Sequence, residues 1–129
     1  AYCSSDSIFR TPFLDLGITP EAGSTLIAPK LMGDQRAFAL LVLGDTFDAA
    51  TAREAGLVYE IVEGDVEAGA RDAALRLAAK PPKALRIARE LLRGQREDIV
   101  ERIDLEVEHF SERMTSDEAK AAFRAFMAR

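Results

Sequence analysis

The chain has 129 residues, 48% of them hydrophobic and 30% charged, which is enough for one domain around one core and is the balance expected of a protein that folds in water. A net charge of −5 without a sustained Lys/Arg run argues against nucleic acid or an anionic membrane surface as the main partner, while an anionic small ligand would need only a local basic patch. Cys3 is the sole cysteine, which excludes an internal disulfide and a multi-cysteine zinc site and suits a reducing compartment; no apolar run reaches membrane-spanning length or has the makeup of a signal peptide.

The chain opens "AYCSSDSIFR", without an initiator Met and already in an extended pattern, as expected of a piece whose first half lies upstream. Two short extended segments, "AYCS" and "IFRTP", flank the turn-forming Ser5-Asp6-Ser7 and end at Pro12. Asp15 to Pro20 reads as a loop carrying Gly17. A helix is predicted over Pro20 to Met32, with Thr19 as its cap, Pro20 in the first helical position and Gly33 after its end; Pro29 should end or kink it early. The apolar "DQRAFALLVL" of Asp34 to Leu43 predicts a buried helix stopped by Gly44. Asp48 should cap the short helix "AATAREA", ended by Gly56, and "LVYEIV" reads as the one later strand.

From there the pattern is helical. Val66 to Lys80 is Ala-rich, and Pro81-Pro82 breaks the chain before a helix that sets Leu85, Ala88, Leu91 and Leu92 opposite Arg86, Arg89 and Arg93. In 95–114 the positions Val100, Ile103, Val107, Phe110 and Met114 alternate spacings of three and four, which suits burial against another helix or another subunit. Thr115 with Glu118 predicts a capping box for a last helix whose face is Ala119, Phe123, Phe126 and Met127. So little sheet beside so many helices makes an odd self-contained α/β domain and again points to a first half elsewhere.

Several chemistries drop out. The sequence holds no GxxxxGK[ST] loop, no GxGxxG after a strand and no HExxH. Glu106-x-x-His109 has the spacing of di-iron bundles, but those need a second pair and His109 is the only histidine, so no metal is expected. His109 reads as a helix-surface or interface residue, which leaves no histidine to activate a serine or cysteine, and Cys3 as a buried strand residue. Glu21 keeps two readings. Thr-Pro-Glu is good helix-start chemistry, in which a carboxylate gains about 0.3–1 kcal/mol from the unpaired N–H groups. Yet Gly17 and Gly23 flank it, and a glycine at 23 weakens a helix while permitting close backbone approach, as a ligand would require.

"FRTPFLDLGITPEAGSTLIAPKLMG", then "LVLGDTFDAATAREAGLVYEIV", then "LAAKPPKALRIARELLR" resemble, in this order and over essentially the whole chain, the second half of the crotonase superfamily, the enoyl-CoA hydratase/isomerase fold. The resemblance is closest to the isomerases that convert 3-enoyl-CoA to 2-enoyl-CoA, and Glu21 falls on their catalytic acid. It implies an α/β fold, the C-terminal half of a ββα spiral: residues 1–64 as the second half of the spiral core with the active-site loop, residues 65–129 as a helical trimerisation region. In hydratases one of two catalytic glutamates follows a proline where this chain has Phe13; two carboxylates serve water addition, so the loss of one favours the isomerase, with Asp15 as a remaining substitute.

The same resemblance implies that Glu21 moves a proton from C2 of a bound acyl-CoA thioester to C4, with burial raising its carboxyl, and that Phe13, Leu16, Gly17, Pro20 and Gly23 line the substrate. The two backbone N–H donors for the enolate oxygen, and most of the CoA pocket, are expected in the N-terminal half, so that this half is a required partner. Coenzyme A is part of the substrate and no separate cofactor is implied. A homotrimer or hexamer is expected, in the cytoplasm, or in a peroxisomal or mitochondrial matrix in a eukaryote. Family members often place lysines near the C-terminus against CoA phosphates; Arg124 and Arg129 are the stand-ins here, with solvated helix surface as the favoured reading. Other acyl-CoA chemistry on the same fold, or a binding module without turnover, are the alternatives.

Overall fold

The computed structural model describes residues 1–128. Strands are only two residues long. β1 (Tyr2–Cys3) pairs in parallel with β4 (Glu60–Ile61), and β2 (Ile8–Phe9) pairs antiparallel with β3 (Phe47–Asp48), Ile8 opposite Asp48 and Phe9 opposite Phe47. Both extended pieces near the start are therefore present. The expected strand "LVYEIV" shrinks to Glu60–Ile61, because Leu57 and Val58 both donate their N–H to the Ala52 carbonyl and so close off the preceding helix.

Between the strands lie α1 (Ser24–Met32), α2 (Asp34–Phe38) with a wide π turn over Ala39–Leu43, and α3 (Ala49–Glu54). In the π turn the Gly44 N–H reaches back to Ala39, leaving the Leu40 carbonyl to accept the Thr11 hydroxyl at 2.6 Å. Ala49, Ala52 and Ala55 recur every third residue on one side of α3 and are almost fully buried, so that α3 comes close to the core formed with Cys3, Met32, Leu40, Leu41, Phe47 and Val58. Asp48 caps α3 as predicted, accepting the Thr51 N–H at 2.7 Å; the Thr51 side chain and backbone together hold its carboxyl below the usual carboxylate value.

Two expectations about α1 fail. It starts at Ser24 rather than Pro20, because Ala22 and Gly23 have φ of 60° and 75° and cannot continue a helix; the Thr19 hydroxyl is buried without a partner instead of capping it. Pro29 does not end it either. The helix runs to Met32 with the Gly33 N–H on the Pro29 carbonyl at 2.9 Å, since burial of Ala28 and Met32 outweighs the one hydrogen bond that Pro29 cannot give.

The rest is α4 (Val66–Ala78), α5 (Pro82–Arg93), α6 (Glu97–Met114) and α7 (Asp117–Met127). The predicted capping box of α7 is displaced by one residue: Ser116 accepts the Ala119 N–H at 3.1 Å, Thr115 donates back to the Glu112 carbonyl as α6 closes, and Glu118 pairs with Arg113. Among the described residues the apolar face of α5 is largely uncovered, with Leu85 half-buried but Leu92 88% exposed. On α6, Ile103 and Phe110 are half-buried while Val100, Val107 and Met114 are exposed. No helix among the described residues is long and apolar enough to cross a membrane.

The candidate active-site turn

Residues 13–25 form a bent connection between the core and α1. A 3-10 turn, Leu14–Leu16, is closed by Gly17 at φ 71°, whose N–H donates to the Leu14 carbonyl at 3.0 Å. Phe13 is half-buried against the core, and its carbonyl accepts the N–H groups of Leu16 and Ile18. Gly17 lies on the start of α7, where an added Cβ would stand 2.8 Å from the Ala119 nitrogen. Leu16 and Pro20 are half-buried, and Ile18 is buried. Asp15 is tied to Arg10 at 2.8 Å on the surface.

The next turn presents Glu21. The Ser24 N–H donates to the Glu21 carbonyl at 3.1 Å, and both central residues, Ala22 and Gly23, have positive φ, as in a type I′ turn. Glu21 is exposed and has no ion-pair partner among the described residues. This corrects the expected burial: no described residue covers the Glu21 side chain. Among the described residues Ala22 is the only non-glycine with positive φ. Ala22→Gly should therefore stabilise the chain by about 0.5–1 kcal/mol, read as a higher denaturant midpoint.

Gly23 meets a conformational demand, since its φ of 75° lies in the left-handed region that favours glycine. An added Cβ would meet Ile99 and Ile103 of α6 and Ile27 at an ordinary 3.4 Å, so the neighbour that the backbone approaches is α6. From α6 comes a residue that the sequence singled out only as half of a metal-ligand spacing. Glu106, 4% exposed, accepts the Gly23 N–H at 2.6 Å, the Thr25 N–H at 3.0 Å and the Thr25 hydroxyl at 2.5 Å, while Arg102 donates to the same hydroxyl at 3.0 Å. It caps α1 from another helix. A signal was present: Ile99, Ile103, Glu106 and Phe110 are spaced by four, three and four, which places one carboxylate on an inward seam of apolar residues.

His109, the other half of the Glu-x-x-His pattern, is exposed, and the described residues contain no cluster of three or more metal-ligating side chains. Cys3 is buried in β1, as expected. Arg124 is exposed on α7; Arg129 lies outside the described residues.

A family model described as enoyl-CoA hydratase/isomerase matches residues 1–129. The chain is 32% identical over 130 residues to enoyl-CoA delta isomerase 2 of Rattus norvegicus, across 99% of this chain and 33% of that protein. It is 30% identical over 126 residues to short-chain-enoyl-CoA hydratase of Clostridium acetobutylicum, across 96% of this chain and 48% of that protein. Among solved structures it is similar to an enoyl-CoA hydratase/isomerase from Pseudoalteromonas atlantica, with a TM-score of 0.94 and 32% identity over 98% of this chain and 52% of that one. The chain thus spans about a third to a half of the length of these curated relatives.

Proposed function

Because this chain belongs to the enoyl-CoA hydratase/isomerase family and has the matching partial fold, we propose that it carries the acid/base half of an acyl-CoA isomerase that moves a double bond from position 3 to position 2. The observation that carries this reading is the exposed carboxyl of Glu21 at the tip of a conformationally fixed turn, without an ion-pair partner among the described residues. Phe13 stands where a hydratase would have its other glutamate, and Asp15, the remaining substitute, is held by Arg10. Phe13, Leu16, Gly17, Pro20 and Gly23 share the connection that sets the turn, and on this reading the acyl-CoA thioester passes along it.

With a 3-enoyl thioester bound, the Glu21 carboxylate takes a proton from C2. The C–H electron pair moves into a dienolate whose negative charge rests on the thioester oxygen, and Glu21 then returns the proton to C4, leaving the 2-enoyl product with no net gain or loss of atoms. The enolate oxygen needs N–H donors, each contributing about 2.7–4 kcal/mol in enzymes from which one has been removed. The α1 terminus does not offer them: the N–H groups of Gly23 and Thr25 serve Glu106, that of Ser24 serves Glu21's carbonyl and that of Leu26 serves Gly23's. On this reading the donors come from the kind of N-terminal half that the longer relatives have, with residues 1–64 as its continuation, residues 65–129 as helical cover, and the open apolar face of α5 available to a trimer or hexamer of the same protein.

The test is a pair of assays on the protein that carries this chain, isomerisation of a 3-enoyl-CoA and hydration of a 2-enoyl-CoA. Isomerisation is expected to dominate. Hydration as the faster reaction would mean that a second acid acts and would refute the single-carboxylate reading.

A further inference from the structure

The helix that the sequence favours and the helix that forms differ by their first four residues. Thr19, Pro20 and Glu21 have the makeup of a helix start, yet α1 begins only at Ser24, after Ala22 has adopted a left-handed conformation that alanine disfavours. Something must oppose the local preference, and Glu106 is placed to do so. Its carboxylate is buried with no ion-pair partner among the described residues, a costly state unless hydrogen bonds satisfy it. The donors are all in the segment after Glu21: the N–H groups of Gly23 and Thr25 and the Thr25 hydroxyl, which Arg102 in turn holds. A charged acceptor at a helix N-terminus is a strong cap. The competing cap is idle, since the Thr19 hydroxyl is buried without a partner.

We propose that Glu106 is a positioning residue for Glu21. By capping α1 from α6 it holds the helix start at Ser24 against a longer helix capped by Thr19, and so keeps Glu21 on the left-handed turn instead of in the first helical turn. The proposal rests on the reading of Glu21 as the acid/base group. In the longer helix Gly23 and Ala22 take right-handed φ and the Glu21 carboxyl swings away from its station, and a misplacement of about 1 Å costs on the order of 100-fold in rate.

The experiment compares the unsubstituted protein with Glu106→Gln, Glu106→Asp and the double variant Thr19→Ala/Glu106→Gln, reading kcat and KM in the isomerisation assay and amide hydrogen exchange at Gly23 and Thr25. Glutamine keeps the shape but removes the charge and turns an NH2 toward one of the N–H donors. In Glu106→Gln, exchange at both amides should rise by about 10-fold or more, and kcat should fall by about 10- to 100-fold with KM nearly unchanged. Aspartate should recover part of kcat, and Thr19→Ala should recover part of it in the glutamine background by disabling the competing cap. Should Glu106→Gln not fold, Thr25→Val removes only the hydroxyl donor and must show the same pattern at smaller amplitude. Unchanged exchange, or lost protection with unchanged kcat, overturns the positioning role. Failure of the unsubstituted protein to isomerise, with protection still lost in Glu106→Gln, instead overturns the isomerase reading and leaves Glu106 as the cap of α1.

Discussion

Glu21→Gln is expected to slow the turnover of a 3-enoyl-CoA to its 2-enoyl isomer by about 100- to 10,000-fold, the range over which a positioned general acid/base contributes. The side chain is exposed and takes no part in the hydrogen bonds of the turn, which run through its carbonyl, so the amide isostere should leave the melting transition and KM close to those of the unsubstituted protein. Steady-state kinetics beside a thermal melt reads both. Retention of most of the turnover would place the proton transfer on another group, and a melt that falls with the rate would make Glu21 part of the fold.

Gly17→Ala should be the most damaging small substitution in the connection, at about 2–4 kcal/mol from left-handed strain plus overpacking. The added methyl would lie 2.8 Å from the Ala119 nitrogen and 2.9 Å from its Cα, backbone atoms of a fully buried residue that cannot rotate aside. Gly64 separates the two causes. It also has positive φ but has nothing within 4 Å, so Gly64→Ala carries the backbone strain alone and should cost about 1–2 kcal/mol. Urea midpoints of the two variants, compared at a common slope, decide it; equal shifts would mean that contact with α7 contributes nothing.

Where a signal is local and unopposed, sequence and structure agree. Asp48 and Gly56 bracket α3, Gly44 stops the apolar segment after α2, and the pieces around Ser5-Asp6-Ser7 are extended. Similarity to a known family was legible across the whole chain from the order of its motifs. The candidate site was only half legible. Glu21 stood out, but Thr19-Pro20 gives the same signature whether or not a helix follows, and alanine at 22 never announces a left-handed turn. The deciding partner, Glu106, is 83 residues from Gly23. One-dimensional patterns register such a residue only as a polar interruption of a seam. The α7 cap failed for a smaller reason: Thr115 and Ser116 are adjacent hydroxyls, and only the path of α6 decides which of them serves.

Each strand pair is two residues long yet joins distant stretches of the chain, Tyr2 to Glu60 and Phe9 to Phe47. So short a ladder gains little from its own hydrogen bonds, while closing the loop it requires costs chain entropy first. The helices, whose contacts are mostly local, can form early; the strands meet only after α1, α2 and α3 have gathered the core between them. The two ladders are therefore expected to close late, on a surface that the helices between them have already built.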